Sequence, residues 1–404
     1  MKKGFQMNDK LPMRKEVLNR IFSEWDIHTD VEEISVEDAL GRIPAEDVFS
    51  KNTIPVVRTS ALDGIAVHSD RFADGTPDTS DWKYGEDFVR ADTGDDFPDE
   101  FDAVLRIEFV DIDKDNKVKI VRDTEVRPGT GVRPVGSVIS GGEKVVDKHR
   151  ALTPLDLSAL VMGGISVIKV YRKPKVAFIP TGNELIDPGK TPGRGETVNS
   201  NSILAKNLLI QMGAEPIVFP IVKDNKNNLE PVLKDAQSQA DLVIINGGSS
   251  MGGEDFNAQF LEENGRILAH GVAAGPGKPV CAAVLDGKPV INIPGPPIAL
   301  FYVMDWCIKP LISRILHIPT PERPKLEGIL ADDMWTPKKN EKLSMINIGR
   351  NPENEFEIRP FLQGKNTVAE NLRADAIYVS SYEGGEIKAG EKIEVELLRG
   401  PEYL

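Results

Sequence analysis

DLVIINGGSSMGGEDFNAQF, residues 241–260, joins a short apolar strand to a glycine-rich loop and then to the start of an acidic helix. The branched apolar residues at 242–245 are typical of a strand that is covered on both faces, as in the parallel sheets of α/β proteins. A strand, a loop and a helix in this order predict one unit of a parallel α/β sheet.

The loop itself has the composition of an anion site. Gly247 and Gly248 leave backbone amides uncovered, and amides freed in this way bind phosphate groups. Ser250 adds a hydroxyl donor, and Asp255 places a carboxylate beside the loop. These residues predict a cradle for a phosphate-bearing ligand, although an ordinary glycine-rich connection with helix capping has the same composition.

The same alternation extends along the chain on both sides of this loop. The predicted strands are 176–179, 217–220, 242–245 and 290–293, and the predicted helices are 202–212, 229–239, 255–263 and one that begins at 298. This order predicts a doubly wound parallel sheet, whose ligands bind at the carboxyl ends of the strands. The turns at 181–184, 247–248 and 294–295 all lie at such ends, so we expect three loops to converge on one rim.

The rest of the chain has a different organisation. A helix at 13–25 and a short helix from Ser35 open a domain, and residues 51–139 contain short strands (65–67, 104–107, 118–121) between turns rich in Asp, Gly and Pro. A helix at 153–162 and a strand at 165–170 indicate that the chain returns to the first domain. After His317 a proline-rich linker precedes short strands (356–358, 376–379, 392–398), which predict a small β domain.

Composition excludes several classes of protein. The net charge of −14 argues against a nucleic-acid partner, which needs a basic face. No segment approaches the roughly 20 apolar residues of a membrane span or the apolar part of a signal peptide, so we expect a cytoplasmic protein. Two cysteines and five scattered histidines form neither a disulfide framework nor a zinc motif.

Several motifs occur in a fixed order along nearly the whole chain. They are EDALGRIPAEDV (37–48), SALDGIAV (60–67), Thr93-Gly94 followed by 101–104, TGNEL (181–185), Asp224 in IVKDN, the loop at 247–255, PGKP (276–279) and Pro294-Gly295. In this combination the chain resembles the molybdopterin molybdenumtransferase family, also called MoeA, which includes the E-domain of gephyrin. A pyridine-nucleotide amidase with a similar α/β domain is a weaker alternative, because it leaves the SALDG segment without a role.

The resemblance implies an α/β plus β protein with four domains. These are an elongated helical/β dimerisation domain I (1–50 and 140–172), a β-rich inserted domain II (51–139), a MogA/MoaB-like doubly wound parallel α/β domain III that binds molybdopterin (173–319) and a small C-terminal β domain IV (320–404). It also implies a homodimer whose active site lies between domain III of one subunit and domain II of the other. A MogA/MoaB-like adenylyltransferase is the further candidate partner.

The activity implied by the resemblance belongs to molybdenum cofactor biosynthesis. The substrates are molybdate and adenylylated molybdopterin, and with Mg²⁺ the adenylyl phosphoanhydride is cleaved, AMP is released and molybdenum stays on the pterin dithiolene. A Mg²⁺ ion held by carboxylates suits this chemistry, because it neutralises the charges of the phosphoanhydride.

Site residues carry over from the matching motifs. The catalytic candidates are Asp63, Glu184 and Asp255, and the metal candidates are Glu184, Asp224 and Asp255. The substrate-binding candidates are Thr93, Thr181, Gly182, Gly247, Gly248, Ser250, Lys278, Pro294 and Gly295. Plainer roles stay open for several of them: Asp63, Thr93 and Asp224 are also common turn residues, Glu184 is placed to cap its own loop, and Lys278 is equally consistent with a solvated lysine.

Some positions depart from the family pattern. The departures are Gly136-Ser137-Val138 for Gly-Glu-Asp, Asn183 for aspartate in TGDEL, Asn199 for aspartate before the first α/β helix, 296–299 for Asn-Pro-Val-Ser, no arginine in LSMINI (343–348), and Lys365-Asn366 for a serine pair. The two in the last domain, in 343–348 and at 365–366, are molybdate contacts in the family, and the resemblance therefore predicts an oxyanion site that is partly rebuilt or absent. The alternative to an active transferase is therefore a catalytically altered paralogue that binds molybdopterin or its nucleotide as a carrier or scaffold.

Overall fold

The computed structural model of the protein describes residues 11–25, 27–248, 256–361, 366–400 and 402, which form two compact units. The first unit is Met1–Asp30 with Arg172–Leu404, and the second is Val31–Tyr171. The first described helix, α1 (Arg14–Glu24), belongs to the first unit. Among the helices of the described residues, none has both the length and the apolar character needed to span a bilayer.

Short strands and one helix make up the second unit. Its elements are β1 (Val31–Ser35), β2 (Val48–Phe49), β3 (Thr59–Ser60), β4 (Gly64–Val67), β5 (Phe88–Ala91), β6 (Ala103–Arg106), β7 (Val110–Ile112), β8 (Val118–Ile120), β9 (Val132–Arg133), β10 (Lys144–Val146), α2 (Pro154–Met162) and β11 (Val167–Tyr171). The short strands predicted between residues 51 and 139 are thus present. The helix predicted from Ser35 is a single 3-10 turn, Val36–Asp38, in which the Ser35 hydroxyl accepts from the Glu37 N–H at 3.3 Å.

Strand pairing explains how the chain leaves and re-enters one part of this unit. β1 pairs antiparallel with β11 and β2 with β10, so the segments before and after the inserted strands lie side by side. Between these segments β4 forms the centre of a three-stranded sheet with β5 and β6. Helix α2 begins with a capping box, in which Thr153 and Asp156 exchange hydrogen bonds.

A six-stranded sheet forms the centre of the first unit. The elements of this part are β12 (Lys175–Pro180), β13 (Leu185–Ile186), β14 (Thr197–Val198), α3 (Asn201–Gln211), β15 (Glu215–Val218), α4 (Lys226–Gln239), β16 (Leu242–Asn246), α5 (Phe256–Asn264), β17 (Arg266–His270), β18 (Ala274–Gly275), β19 (Cys281–Leu285), β20 (Lys288–Ile293), α6 (Pro297–Val303) and α7 (Lys309–Ile315), with a π-helical turn, Met304–Ile308, between the last two. The sheet order is β15-β12-β16-β20-β19-β17.

The four strands predicted from the sequence are the four parallel strands of this sheet. The prediction of an entirely parallel sheet is wrong at one edge, where β19 runs antiparallel to both β20 and β17. The cause is a hairpin between β19 and β20 whose turn residues, Asp286 and Gly287, have φ of 49° and 77°. An Asp-Gly pair between two apolar runs is a strong sequence signal for a hairpin, so this antiparallel strand could have been predicted from the sequence.

Apolar side chains cover both faces of the sheet. Ala177, Ile179, Val243 and Ile245 pack with buried residues of α4 and α5 on one face. The residues that alternate with them, Val176, Phe178, Leu242 and Ile244, are also fully buried and point to the other face. Helices α3 and α6 contact each other and strands β12 and β20 respectively. The carboxyl ends of the strands are thereby held at a fixed edge between two helical layers.

The last part of the chain is a small barrel-like sheet. Its elements are β21 (Lys325–Leu330), β22 (Met334–Thr336), β23 (Glu341–Arg350), β24 (Phe356–Pro360), α8 (Val368–Asn371), β25 (Ala376–Val379), β26 (Gly385–Ile387) and β27 (Lys392–Leu397). The strand order is β18-β23-β24-β21-β27-β25, and an added pairing of β23 with β25 closes a ring of five strands. β18 joins this ring to the α/β part of the same unit.

Helix α1, whose residues the sequence assigned to domain I (1–50 and 140–172), packs within the first unit. Its buried residues Val17 and Ile21 face the antiparallel edge of the α/β sheet, where α1 contacts β17 and β19. Arg20 donates to the carbonyl of Leu268 at 3.0 Å, and Arg14 forms a two-fold ion pair with Glu341 at 2.6 and 3.0 Å. These partners lie some hundreds of residues away in sequence, so no local pattern indicates them.

Candidate ligand site

Three loops meet at the carboxyl edge of the sheet, after the neighbouring strands β12, β16 and β20. Their backbones are joined directly: the Thr181 N–H donates to the carbonyl of Asn246 at 2.8 Å, and the Gly247 N–H donates to the carbonyl of Ile293 at 3.0 Å. The structure therefore brings together the residue pairs predicted at this edge, namely Thr181-Gly182, Gly247-Gly248 and Pro294-Gly295. We call these three pairs the rim.

The first two loops of the rim approach each other as closely as backbones can. Gly247 has φ of 115°, and a Cβ atom on it would lie 2.1 Å from the carbonyl oxygen of Thr181. Thr181 and Gly247 are both buried, whereas Gly248 is half-buried. Only glycine fits at position 247, so the glycine-rich composition of the loop has a packing cause as well as a conformational one.

Asn201, at the start of α3, holds the third loop in place. Its amide nitrogen donates to the carbonyl of Gly295 at 2.7 Å and to the side-chain oxygen of Asn246 at 2.8 Å. Asn246 in turn donates to the carbonyl of Pro294 at 3.0 Å. Asn199 lies two residues before Asn201, and its side-chain oxygen accepts from the Ser202 N–H at 3.2 Å. This neutral side chain therefore stabilises the start of α3.

Two of the three predicted metal carboxylates, Glu184 and Asp224, lie near each other. The Glu184 carboxylate lies over Gly182, and the Asp224 N–H donates to the side-chain oxygen of Asn183 at 3.2 Å. Lys223 ties the same two segments together by donating to the carbonyl of Asn183 at 2.9 Å. Partial desolvation in this turn, with the negative charge of Glu184, raises the pKa of the Asp224 carboxyl above its ordinary value.

A change of pKa in a variant tests this proximity. In Glu184→Gln we expect the pKa of the Asp224 carboxyl to fall, because a neighbouring negative charge is removed. Side-chain carboxyl chemical shifts in ¹³C-aspartate-labelled protein, followed against pH, measure it. In the wild type, the folded state holds more protons than the unfolded state between the ordinary pKa and the raised one. The contribution of this carboxyl to the free energy of unfolding therefore decreases as the pH rises through that interval.

Glu196→Gln is the matched control for that experiment. Glu196 lies in the same region of the chain, and its carboxylate accepts from the Gly193 N–H at 2.8 Å. It should leave the pKa of Asp224 unchanged. An Asp224 pKa that is the same in Glu184→Gln as in the wild type would contradict the proximity of the two carboxylates.

Asp255 and Ser250, predicted for the metal and the substrate respectively, lie outside the described residues. Within the described ranges, no group of three or more His, Cys, Asp or Glu side chains is arranged to hold a metal ion. Of the three predicted metal carboxylates, the described ones are Glu184 and Asp224, which lie beside the rim.

Lys278 lies in the turn between β18 and β19, and its side chain is exposed. The turn is held by the Val272 N–H, which donates to the carbonyl of Lys278 at 2.9 Å. It also packs on α6, since a Cβ atom on Gly277 would lie 2.8 Å from a methyl group of Val303. In the described part of the chain the Lys278 side chain forms no hydrogen bond to a rim residue, so its substrate-binding role stays a prediction.

Asp63 and Thr93 are brought together in the second unit. Asp63 is exposed in the turn before β4, and one of its carboxylate oxygens accepts from the Thr93 N–H at 2.7 Å. This N–H and then the Thr93 hydroxyl hold the pKa of the Asp63 carboxyl below its ordinary value, and the positive charge of Arg90 adds to the effect. Asp63 is therefore an ionised carboxylate of fixed orientation at neutral pH.

The departures from the family pattern have visible structural settings. The segment 343–348 lies in β23, where Leu343, Ser344, Met345 and Ile346 are buried. Pro296 caps α6 and Pro297 is its first residue, a position that needs no N–H donor. Lys365 lies outside the described residues.

The sequence prediction overlooked three buried amides beneath the rim, Asn246, Asn257 and Asn292, which are 3%, 1% and 0% exposed. Asn246 and Asn292 had a signal in the sequence, because each is a polar residue within an otherwise apolar strand. Buried polar side chains need hydrogen-bond partners, so an asparagine at a strand end predicts contacts with neighbouring loops.

Comparisons with known proteins identify the family of the chain. Residues 13–164 match the MoeA N-terminal region (domain I and II), and residues 177–314 match the family described as "Probable molybdopterin binding domain". A protein of Methanocaldococcus jannaschii named "Putative molybdopterin biosynthesis protein" is 31% identical, over 95% of this chain and 96% of its own. The chain belongs to the MoeA family.

Two further members of the MoeA family show how far the similarity extends. The molybdopterin molybdenumtransferase of Haemophilus influenzae is 29% identical over 91% of this chain and 94% of its own. The crystal structure of the molybdopterin biosynthesis MoeA protein from Pyrococcus horikoshii is 28% identical, with a TM-score of 0.79, and the match covers 97% of this chain and all of that one. The resemblance inferred from the sequence motifs is therefore confirmed.

Proposed function

We propose that this MoeA-family chain inserts molybdenum from molybdate into adenylylated molybdopterin and releases AMP. Membership of the family places the chain in molybdenum cofactor biosynthesis, and relatives of similar length are named as transferases. Those names favour an enzyme over the carrier or scaffold that the altered positions suggested.

The observation that supports the proposal best is the convergence of three loops, with an open backbone amide and two carboxylates, at one edge of the sheet. The N–H groups of Thr181, Gly182 and Gly247 already donate to backbone carbonyls, whereas the Gly248 N–H has no partner in the described part of the chain and is open to a phosphate. Glu184 and Asp224 add two carboxylates close to it in the same group of loops. Repulsion between these two carboxylates is relieved when a divalent cation binds, and Mg²⁺ is commonly held by one or two carboxylates together with substrate phosphates. The residues present therefore fit Mg²⁺, with Asp255 as the proposed third carboxylate.

The rim loops and the candidate residues near them have distinct roles in this proposal. The rim loops bind and orient the phosphates of the adenylylated pterin, and Glu184 and Asp224 hold Mg²⁺, which when bound neutralises the charge of the breaking phosphoanhydride. Lys278 and Ser250 contact oxyanion groups. Asp63, ionised and oriented by Thr93, is the catalytic carboxylate contributed by a second subunit, so we propose a homodimer.

Turnover by the purified protein tests the proposal. With Mg²⁺, molybdate and adenylylated molybdopterin, we expect release of AMP, measured by liquid chromatography, and a product that activates a cofactor-free molybdoenzyme. Chelation of Mg²⁺ should stop both. A control without molybdate separates hydrolysis of the adenylate from insertion. Calorimetric binding of molybdopterin without AMP release, under conditions in which an established MoeA enzyme is active, would show a carrier instead.

A further inference from the structure

The Gly247 carbonyl oxygen is hydrogen-bonded by the side-chain amides of two buried asparagines. The Asn257 amide nitrogen donates to it at 2.9 Å, and Asn292, with its amide nitrogen turned toward the loop, lies 3.0 Å from the same oxygen. Both side chains are almost completely buried. A carbonyl with two buried amide donors has a strongly preferred direction, because turning it away would break both of these short hydrogen bonds.

The direction of this carbonyl fixes the next N–H group. In a planar trans peptide the C=O of one residue and the N–H of the following residue point to opposite sides. Since the Gly247 carbonyl points down toward Asn257, the Gly248 N–H points away from the buried amides. Gly248 is half-buried, and within the described ranges its N–H has no hydrogen-bond partner.

Asn257 also packs against the backbone of Gly248. A Cβ atom on Gly248, whose φ is 58°, would lie 2.5 Å from the Asn257 amide nitrogen, so the loop backbone lies directly on this side chain. Asn257 is the second residue of α5, on the far side of residues 249–255. One side chain therefore links the two ends of the glycine-rich loop.

We propose that Asn257 is a positioning residue that presents the Gly248 N–H to a phosphate group of the bound nucleotide. The inference rests on the proposed function, because that function supplies a phosphate at the rim. The peptide is oriented before the ligand arrives, so the N–H binds the anion without a change in the loop. Asn257 acts through the Gly247–Gly248 peptide and does not touch the ligand.

Binding of AMP and of adenosine to Asn257→Leu tests the inference. Leucine has the branched shape of asparagine, although a larger volume, and cannot donate to the carbonyl. Loss of one hydrogen bond to a charged phosphate should weaken AMP binding about tenfold, by isothermal titration calorimetry with Mg²⁺ present, and should leave adenosine binding unchanged. Asn257→Ala, which removes the donor without adding a charge, should give the same loss and serves if the leucine variant fails to fold.

Asn264→Leu is the matched control. Asn264 lies at the other end of α5, and its amide nitrogen also donates to a backbone carbonyl at 2.9 Å, that of Phe260. Each variant loses its bond to a backbone carbonyl, and Asn257→Leu also loses the 3.5 Å bond from its amide nitrogen to the Thr181 hydroxyl. Urea denaturation measures the cost to stability of each change, and only Asn257→Leu should lose the preference for AMP over adenosine. An unchanged preference in Asn257→Leu, or equal weakening of both ligands, overturns the inference and leaves the proposed function intact. Failure of the wild type to prefer AMP over adenosine overturns both.

Discussion

Asp63→Asn is expected to lower the rate of AMP release and of cofactor formation by about 10²- to 10⁴-fold, the range found when a general acid or base is removed. Asparagine has the shape of aspartate, and its side-chain oxygen still accepts from the Thr93 N–H that bonds Asp63 at 2.7 Å. The turn should therefore keep its geometry. What the variant loses is the negative charge, which Thr93 and Arg90 stabilise in the wild type.

Asp78→Asn is the control for this experiment. Asp78 is another exposed aspartate of the second unit, it accepts from the Ser80 N–H at 3.0 Å, and that bond lowers its pKa in the same direction. As a surface change it should alter activity by no more than about twofold. Rescue of a strain that lacks its own insertase measures the same difference in cells. If Asp63→Asn rescues as well as the wild type, Asp63 is only a turn residue.

The parallel part of the α/β sheet could be predicted from the sequence because each strand is a short apolar run followed by a helical pattern. β16 is the clearest example, since all five of its residues are buried. β17 and β19 were missed because their connection contains no helix and their apolar runs are short. The signal for this hairpin lies in its turn residues, Asp286-Gly287, and not in the apolar pattern of its strands.

The position of α1 could not be predicted from its own residues. A helix with a buried face at Val17 and Ile21 needs an apolar partner, but its sequence does not identify which one. The partner is determined by contacts such as Arg14 with Glu341, at a separation of 327 residues. Long-range contacts of this kind follow from the complete fold.

The rim itself was predicted, because the order of strands in a parallel sheet places all their carboxyl ends at one edge. Its supporting amides were not. Asn257 follows an acidic, glycine-rich segment and resembles an ordinary residue of a first helical turn. Its bond to Gly247 joins positions on opposite sides of a loop, and only the fold shows that this bond exists.

Gly247→Ala is expected to have the largest effect of any single change at the rim. A methyl group at this position would lie 2.1 Å from the Thr181 carbonyl oxygen, and φ of 115° is unfavourable for alanine. Backbone strain and overpacking together should lower the free energy of unfolding by about 2–5 kcal/mol, measured by urea denaturation. Moving the loops apart would strain the bond from the Thr181 N–H to the Asn246 carbonyl, so AMP binding should weaken as well.

Gly189→Ala separates the two causes. Gly189 has φ of 87°, but a Cβ atom on it would have no neighbour within 4 Å. The variant should lose only about 1–2 kcal/mol, from backbone strain, and should bind AMP normally. The difference between the two variants is then the cost of separating the first two rim loops. If Gly247→Ala is no less stable than Gly189→Ala, the first two rim loops can move apart at little cost in free energy. The close approach of Gly247 to Thr181 would then not be what stabilises the rim.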